Sequence, residues 1–245
     1  AGLIVQFFDN GQYKLMGNYF IAKNMMDMNI YGFDMPVSTM FAVQKRMPMN
    51  QAMPFMSPLF NFKDVGDMTG GALSLQVNGI GDGISDFLDD TIFFLSYAFS
   101  QTDPNKNAQG VFDLYSPSFL GNTYGMLGSE DKKFGSSIYT GVQVPGIAKG
   151  QRLGLEYNHG SKYWRSFTYG EDTLAGSKLA ARGDAYEIYY ILPIVNKNLT
   201  AQLSYVYIDY DYTGSDTFFG WTGTPMDVST TPGAVKTAQD LRLSL

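Results

Sequence analysis

The chain has 245 residues, a net charge of −6 with no basic run, and no cysteine; this argues against a nucleic-acid partner and excludes disulfides, a thiolate metal site and a cysteine nucleophile. Charged residues make up 16% and hydrophobic residues 44%, against roughly 25% charge in ordinary soluble domains, so the composition leans away from a soluble enzyme. No apolar run approaches the roughly 18 residues of a spanning helix; Ile92 to Phe99, interrupted by Ser96, is among the longest, so a membrane crossing would need a closed β-barrel.

Alternation at period two predicts nine strands, at about 3–8, 12–20, 72–80, 91–100, 134–144, 151–160, 184–193, 199–211 and 236–245. The first two are joined by Asp9-Asn10-Gly11, a good hairpin turn. In the third, Leu73, Leu75 and Val77 oppose Ser74, Gln76 and Asn78. In the sixth, Leu153, Leu155 and Tyr157 oppose Arg152, Gly154, Glu156 and Asn158. The eighth sets Leu199, Ala201, Leu203, Tyr205 and Tyr207 against Thr200, Gln202, Ser204 and Val206. In the ninth, Leu241, Leu243 and Leu245 alternate with Asp240, Arg242 and Ser244. Helical periodicity is poor; Asp82 to Asp90 has room for one short turn.

Short links fall at about 9–11, 81–90, 145–150 and 194–198, and long ones at about 21–71, 101–133, 161–183 and 212–235. Short and long alternate throughout, as in outer-membrane barrels with tight periplasmic turns and extended external loops. The expected fold is therefore all-β, an antiparallel transmembrane β-barrel of outer-membrane type. It forms a single domain over 1–245, with 22–71 as a long Met-rich loop or plug. Single-chain bacterial barrels usually have an even strand number, so further strands are expected before Ala1 and a few residues after Leu245, making this the C-terminal part of a larger barrel. Any signal peptide lies outside the sequence.

The two faces define the candidate residues. Ser74, Gln76, Asn78, Arg152, Glu156, Asn158, Thr200, Gln202, Ser204, Asp240 and Arg242 would line a lumen. Mixed amide, hydroxyl and charged groups suit passage of small polar solutes; the competing reading is that they pair and fill a closed interior. Leu153, Leu155, Tyr157, Tyr163, Trp164, Leu203, Tyr205 and Tyr207 would face lipid or form an aromatic girdle.

Most of the 13 methionines crowd into 22–71, including Met26-Asp-Met28 and Met47-Pro-Met49, beside Phe41, Phe55 and Phe60. Paired thioethers suit Cu(I), but no His or Cys accompanies them, and flexible methionine also suits a loop folded into the lumen or a partner-docking surface. Val37 to Val43 is an alternative strand. His159, the single histidine, and Ser161 share a strand face. A His-x-Ser pair on a barrel's outer face is what outer-membrane lipases use, since the base activates a hydroxyl beside lipid. Here Lys162 and Tyr163 follow the serine, where those lipases show Asn-Gly, and no orienting acid can be assigned; a girdle histidine is the competing reading. Asp86-Asp89-Asp90, Glu130-Asp131, Glu171-Asp172 and Asp209-Asp211 read as solvated rim charge, or as sites for cations that bridge lipopolysaccharide. Gly79-Ile-Gly81-Asp82-Gly83 reads as a turn, without the G-K-S/T of a phosphate loop. No metal or cofactor is expected.

The segment Leu153-Gly-Leu-Glu-Tyr-Asn-His-Gly-Ser-Lys-Tyr-Trp164, with Lys178-Leu-Ala-Ala-Arg-Gly183, Tyr210-Asp-Tyr-Thr-Gly-Ser215 and, more loosely, Ala98 to Pro104, carries a resemblance. It resembles an uncharacterised family of outer-membrane porin-like proteins from Gram-negative bacteria, filed as a domain of unknown function. The resemblance implies an outer-membrane barrel and brings no activity or binding residue with it.

Three functions stay open: a porin-like channel for small hydrophilic solutes or ions, without chemistry of its own; a structural or partner-binding barrel; and a lipid-acting hydrolase using His159 and Ser161. Membrane lipid and lipopolysaccharide are the expected surroundings, with a homo-oligomer or a protein docked on 22–71 as further partners. The rival fold is a soluble β-sandwich whose leucine and tyrosine faces meet a second sheet. On the barrel reading, Leu203→Arg costs roughly 2–4 kcal/mol, while Gln202→Arg costs far less and alters ion selectivity. Equal costs in a urea titration would contradict the assigned faces.

Overall fold

The computed structural model describes residues 1–30, 60–81, 83–108, 127–166, 176–195, 199–214 and 224–245, with the side chains of 27–30 and 60–62 left aside. Among the described residues there are nine strands: β1 (Gly2–Asp9), β2 (Tyr13–Ile30), β3 (Phe60–Asn78), β4 (Ile92–Pro104), β5 (Lys133–Pro145), β6 (Arg152–Gly160), β7 (Gly183–Val195), β8 (Leu199–Tyr210) and β9 (Thr237–Ser244). Each pairs antiparallel with its sequence neighbours, in the order β1 to β9, to form one sheet. The helix expected near Asp82–Asp90 is a single turn, α1 (Asp86–Asp89), capped by the Ser85 side chain, which accepts from the Leu88 amide.

The sheet is not closed into a ring: its order ends at β1 and β9, which are not hydrogen-bonded to each other. In an antiparallel meander of nine strands, the first and last run in the same direction. An all-antiparallel ring would therefore need an odd number of further strands between them.

The links alternate as expected. Those at 10–12, 79–91, 146–151 and 196–198 join one end of the sheet; those at 31–59, 105–132, 161–182 and 211–236 join the other.

The expected loop 22–71 requires correction, because β2 and β3 extend far into it. Their ladder continues from Ile21↔Thr69 and Ala22↔Met68, shifts at Met25↔Gly66 and Met26↔Asp64, and runs on to Ile30↔Phe60. The shift is a bulge. Asn24 has φ 54° and Gly66 φ 130°; the Asn24 amide donates to Asp67 Oδ1 at 3.0 Å. At Gly66 a Cβ would collide with the Asp103 carbonyl. Extra residues at a bulge invert the apolar–polar alternation beyond it, so the pattern read in one phase stops at Phe20. Met26 and Met28 therefore belong to a strand, and Phe60 begins the next. Phe41, Phe55, Met47, Met49 and the alternative strand Val37–Val43 lie outside the described residues.

The register assigns the faces. Leu73, Leu155, Tyr186, Ile188, Leu203, Leu241 and Leu243 share one face and are all exposed, Leu73 at 50%, Leu155 at 49% and Leu203 at 48%. The opposite face carries Ser100, Ser137, Asn158 and Ser204, all buried. Polar groups are covered and leucines bare, the reverse of a soluble sheet.

Close approach on the polar face depends on glycine. Gly154 pairs directly with Tyr189, whose ring lies where a Cβ would stand; Gly141–Phe94 and Gly70–Phe20 repeat the arrangement. The rings lie along the wall over a missing side chain, which shields the backbone there. Gly154→Val should cost about 1–3 kcal/mol through overpacking. Unfolding titrations should show a smaller cost in a Tyr189→Ala background; equal costs in both backgrounds would remove this account of the glycine.

Candidate functional site

The apolar face is continuous across the sheet. One register row, Tyr13–Val77–Phe93–Val142–Leu155–Ile188–Tyr205–Leu241, runs from β2 to β9 without a charged or amide side chain. Towards the end with long links lies an aromatic series: Tyr157 and Tyr186 have ring centroids 5.2 Å apart, and Tyr186 and Tyr207 6.5 Å. Further along the same margin, Phe99 lies 6.4 Å from Tyr19 and 5.9 Å from Phe134. On β7 the apolar positions extend from Tyr186 to Ile194, about 26 Å along a strand at roughly 3.3 Å per residue. A tilt of about 40° reduces this to about 20 Å, comparable with the roughly 25 Å apolar band of membrane barrels. Among the described residues nothing forms a second sheet over this face.

The polar face is extensively paired. Ser74 and Ser96 hydroxyls lie 2.7 Å apart, Gln76 donates to Asn78 at 2.8 Å, and the Ser137 hydroxyl donates to Asn158 at 2.7 Å. Arg242 lies 3.5 Å from Asp240. Arg152 is drawn to the short-link end, where it donates to the Asp90 carbonyl. Thr200 is exposed, Gln202 half-buried and Ser204 buried. The residues expected to line a lumen thus share one face, but many are bonded to each other.

The described arms of the link between β6 and β7, residues 161–166 and 176–182, fold back over this polar face. Asn158 Nδ2 donates to the Lys178 carbonyl at 2.9 Å, Trp164 Nε1 to the Leu179 carbonyl at 2.8 Å, and the Arg165 amide to Ser100 Oγ at 3.0 Å. Arg182, fully buried, donates to the Trp164 carbonyl at 3.0 Å and the Thr213 carbonyl at 2.7 Å. A cavity of about 310 Å³ remains beneath, lined by Asn18, Ser96, Ser137, Tyr139, Asn158, Trp164 and Arg165 among others.

Trp164 therefore departs from the girdle assignment. It is buried against the polar wall, because its indole N–H finds a carbonyl partner there. Tyr163 is half-buried, with the Lys133 and Lys162 ammonium groups 5.5 and 5.7 Å from its ring. Leu153, Leu155, Tyr157, Leu203, Tyr205 and Tyr207 all occupy the apolar face.

At the edge of the cavity sits a charged cluster that sequence alone left unseen. Glu156 and Glu187 are direct cross-strand partners, an opposition that like charges tolerate only with compensation. Lys178 supplies it, donating to Glu156 Oε2 at 2.5 Å and also to Glu187. The Tyr139 hydroxyl donates to Glu156 as well. All three charged side chains are nearly covered, at 12% for Lys178, 11% for Glu156 and 9% for Glu187. Burial opposes the Lys178 charge, but Tyr139 and the two carboxylates outweigh it and hold its pKa above the ordinary lysine value. This contribution to stability is complete below that ordinary value and fades only as pH rises through the elevated one. Strand alternation places Glu187 on the polar face; its opposition to Glu156 needed the register, and Lys178 needed the folded link.

His159 lies on the apolar face, as expected, and its acid partner is Asp184, with Nδ1 2.9 Å from Oδ1. Tyr157 donates its hydroxyl to the same carboxylate oxygen at 2.7 Å. Ser161 Oγ instead accepts from the Ser136 amide at 2.9 Å. Among the described residues no hydrogen bond joins His159 to Ser161, and no three His, Cys, Asp or Glu side chains are grouped to hold a metal. Glu171 and Asp172 lie outside them. No helix among the described residues is long and apolar enough to cross a membrane, which says nothing about crossing by strands.

A family model described as Protein of unknown function (DUF3373) matches residues 1–245, and the chain belongs to that family. No curated protein and no solved structure matches it.

Proposed function

We propose that this member of a family of unknown function forms part of the wall of a porin-like β-barrel in the outer membrane of a Gram-negative bacterium, through which small hydrophilic solutes or ions pass without chemistry. The carrying observation is the exposed apolar face. A bare, contiguous band of leucine, isoleucine, valine and tyrosine over most of a sheet exceeds what soluble monomers expose. In hydrocarbon the same band is solvated by lipid tails, with aromatic rings at the headgroup level. The alternation of short and long links supports the same reading. Lipid, and lipopolysaccharide at the long-link end, are the partners this requires.

The open edges of β1 and β9 enter here as well. Unpaired strand edges are intolerable in hydrocarbon, so an odd number of further strands completes the ring. A ring of more than about a dozen strands encloses water unless plugged. The polar wall, with Gln202, Thr200, Asp240 and Arg242 away from the folded link, suits that interior.

A second reading is a barrel that is structural or docks a partner. What favours it is the density of pairing on the polar face, where Ser74–Ser96, Ser137–Asn158 and Lys178–Glu156–Glu187 satisfy one another. The two readings separate in a planar bilayer. The refolded full-length protein is expected to give stepwise, ohmic conductance; a well-folded preparation that stays silent and retains a stoichiometric partner would contradict the channel.

A further inference from the structure

The arms of the β6–β7 link lie on the polar wall and are fixed to it at three points. Asn158 of β6 donates to the Lys178 carbonyl, Ser100 of β4 accepts from the Arg165 amide, and the Lys178 ammonium reaches Glu156 and Glu187. A link that simply emerged into solvent would make none of these contacts. Two carboxylates and one ammonium leave the cluster with a net charge of −1, nearly covered by protein. A fixed charge in such surroundings acts more strongly on a nearby ion than one in bulk water.

Resting on the channel reading, we infer that these arms form a constriction of the passage, fastened by Lys178, and that the Glu156–Glu187 pair gives it a preference for cations. Lys178 has two effects. Its charge moderates the negative potential of the pair, and its bonds hold the arms against the wall. Loss of the ammonium frees the arms and leaves two carboxylates opposed. The freed arms leave the wall and narrow the passage, which then favours cations more. Neutralising both carboxylates removes the cation preference and weakens the hold on the arms, because the ammonium keeps only uncharged acceptors.

The chain has no cysteine, so a Lys178→Cys variant carries a single thiol. In planar bilayers under a KCl gradient, this variant of the full-length protein should show lower conductance and a potassium-over-chloride preference raised by about twofold or more. Reaction with aminoethyl methanethiosulfonate, in which the cysteine thiolate displaces methanesulfinate to form a disulfide-linked aminoethyl group, restores the ammonium and should return both values towards wild type. The Glu156→Gln, Glu187→Gln double variant keeps the hydrogen-bonding shape and should lose the cation preference, which provides a test even if Lys178→Cys fails to fold. Open channels whose conductance and ion preference match wild type in the variants that fold would overturn the constriction while leaving the channel standing. A folded wild type that never conducts removes both.

Discussion

Away from its bulges, each ladder in the sheet fixes period two, and that constraint decides which side chains meet which surroundings. A strand cannot change the face of one leucine without moving its neighbour to the other. Once Leu155 is paired with Ile188, and Ile188 with Tyr205, Glu156, Glu187 and Val206 are committed to the opposite side. The apolar row from Tyr13 to Leu241 and the buried polar wall are therefore one fact seen from two sides. Water cannot be the solvent of the first without a large hydrophobic penalty, at about 25 cal/mol per Å² of apolar surface left bare.

The polar wall has its own logic. Buried charge is costly unless paired, and the register places Glu156 directly beside Glu187. Without Lys178 that opposition would stand uncompensated in a nearly covered site. The link therefore does more than join β6 to β7, because its lysine makes the wall electrostatically tolerable. Glycine does the corresponding steric work. Tyr189 lies along the wall only because Gly154 has no side chain, which leaves its hydroxyl 3.1 Å from the Gln143 amide nitrogen. Near the long-link end, Ala181, Ala185, Val206 and Ile208 form a small dry cluster on this same face, seating the returning chain beside the charges.

The nine strands could be read from sequence because most run without interruption and alternate cleanly; Leu199–Tyr207 and Leu153–Tyr157 show it best. The reading broke where the backbone does. At Asn24 and Gly66 the bulge inverts the phase, so residues that continue β2 and β3 looked like loop. Trp164 was misplaced for a different reason: as an aromatic next to a strand end it fits a girdle, and only the carbonyl of Leu179, brought back by the link, reveals its partner. Alternation marks Glu156 and Asn158 as polar-face residues, whereas nothing local marks Lys178, Glu187 and Asp184 as partners. Their roles arise from cross-strand pairing and a returning loop, which local periodicity does not encode.

The central claim is that alternate residues of a strand such as β8 sit in hydrocarbon and in water. A nitroxide scan over 199–207, one cysteine at a time in lipid vesicles, reads this directly by comparing collisions with oxygen, which concentrates in lipid, and with a water-soluble nickel complex. The account predicts oxygen accessibility peaking at 203, 205 and 207 and nickel accessibility at 200 and 202, with a period of two. Uniform low accessibility to both at 203, 205 and 207, in a protein that stays soluble without detergent, would contradict it.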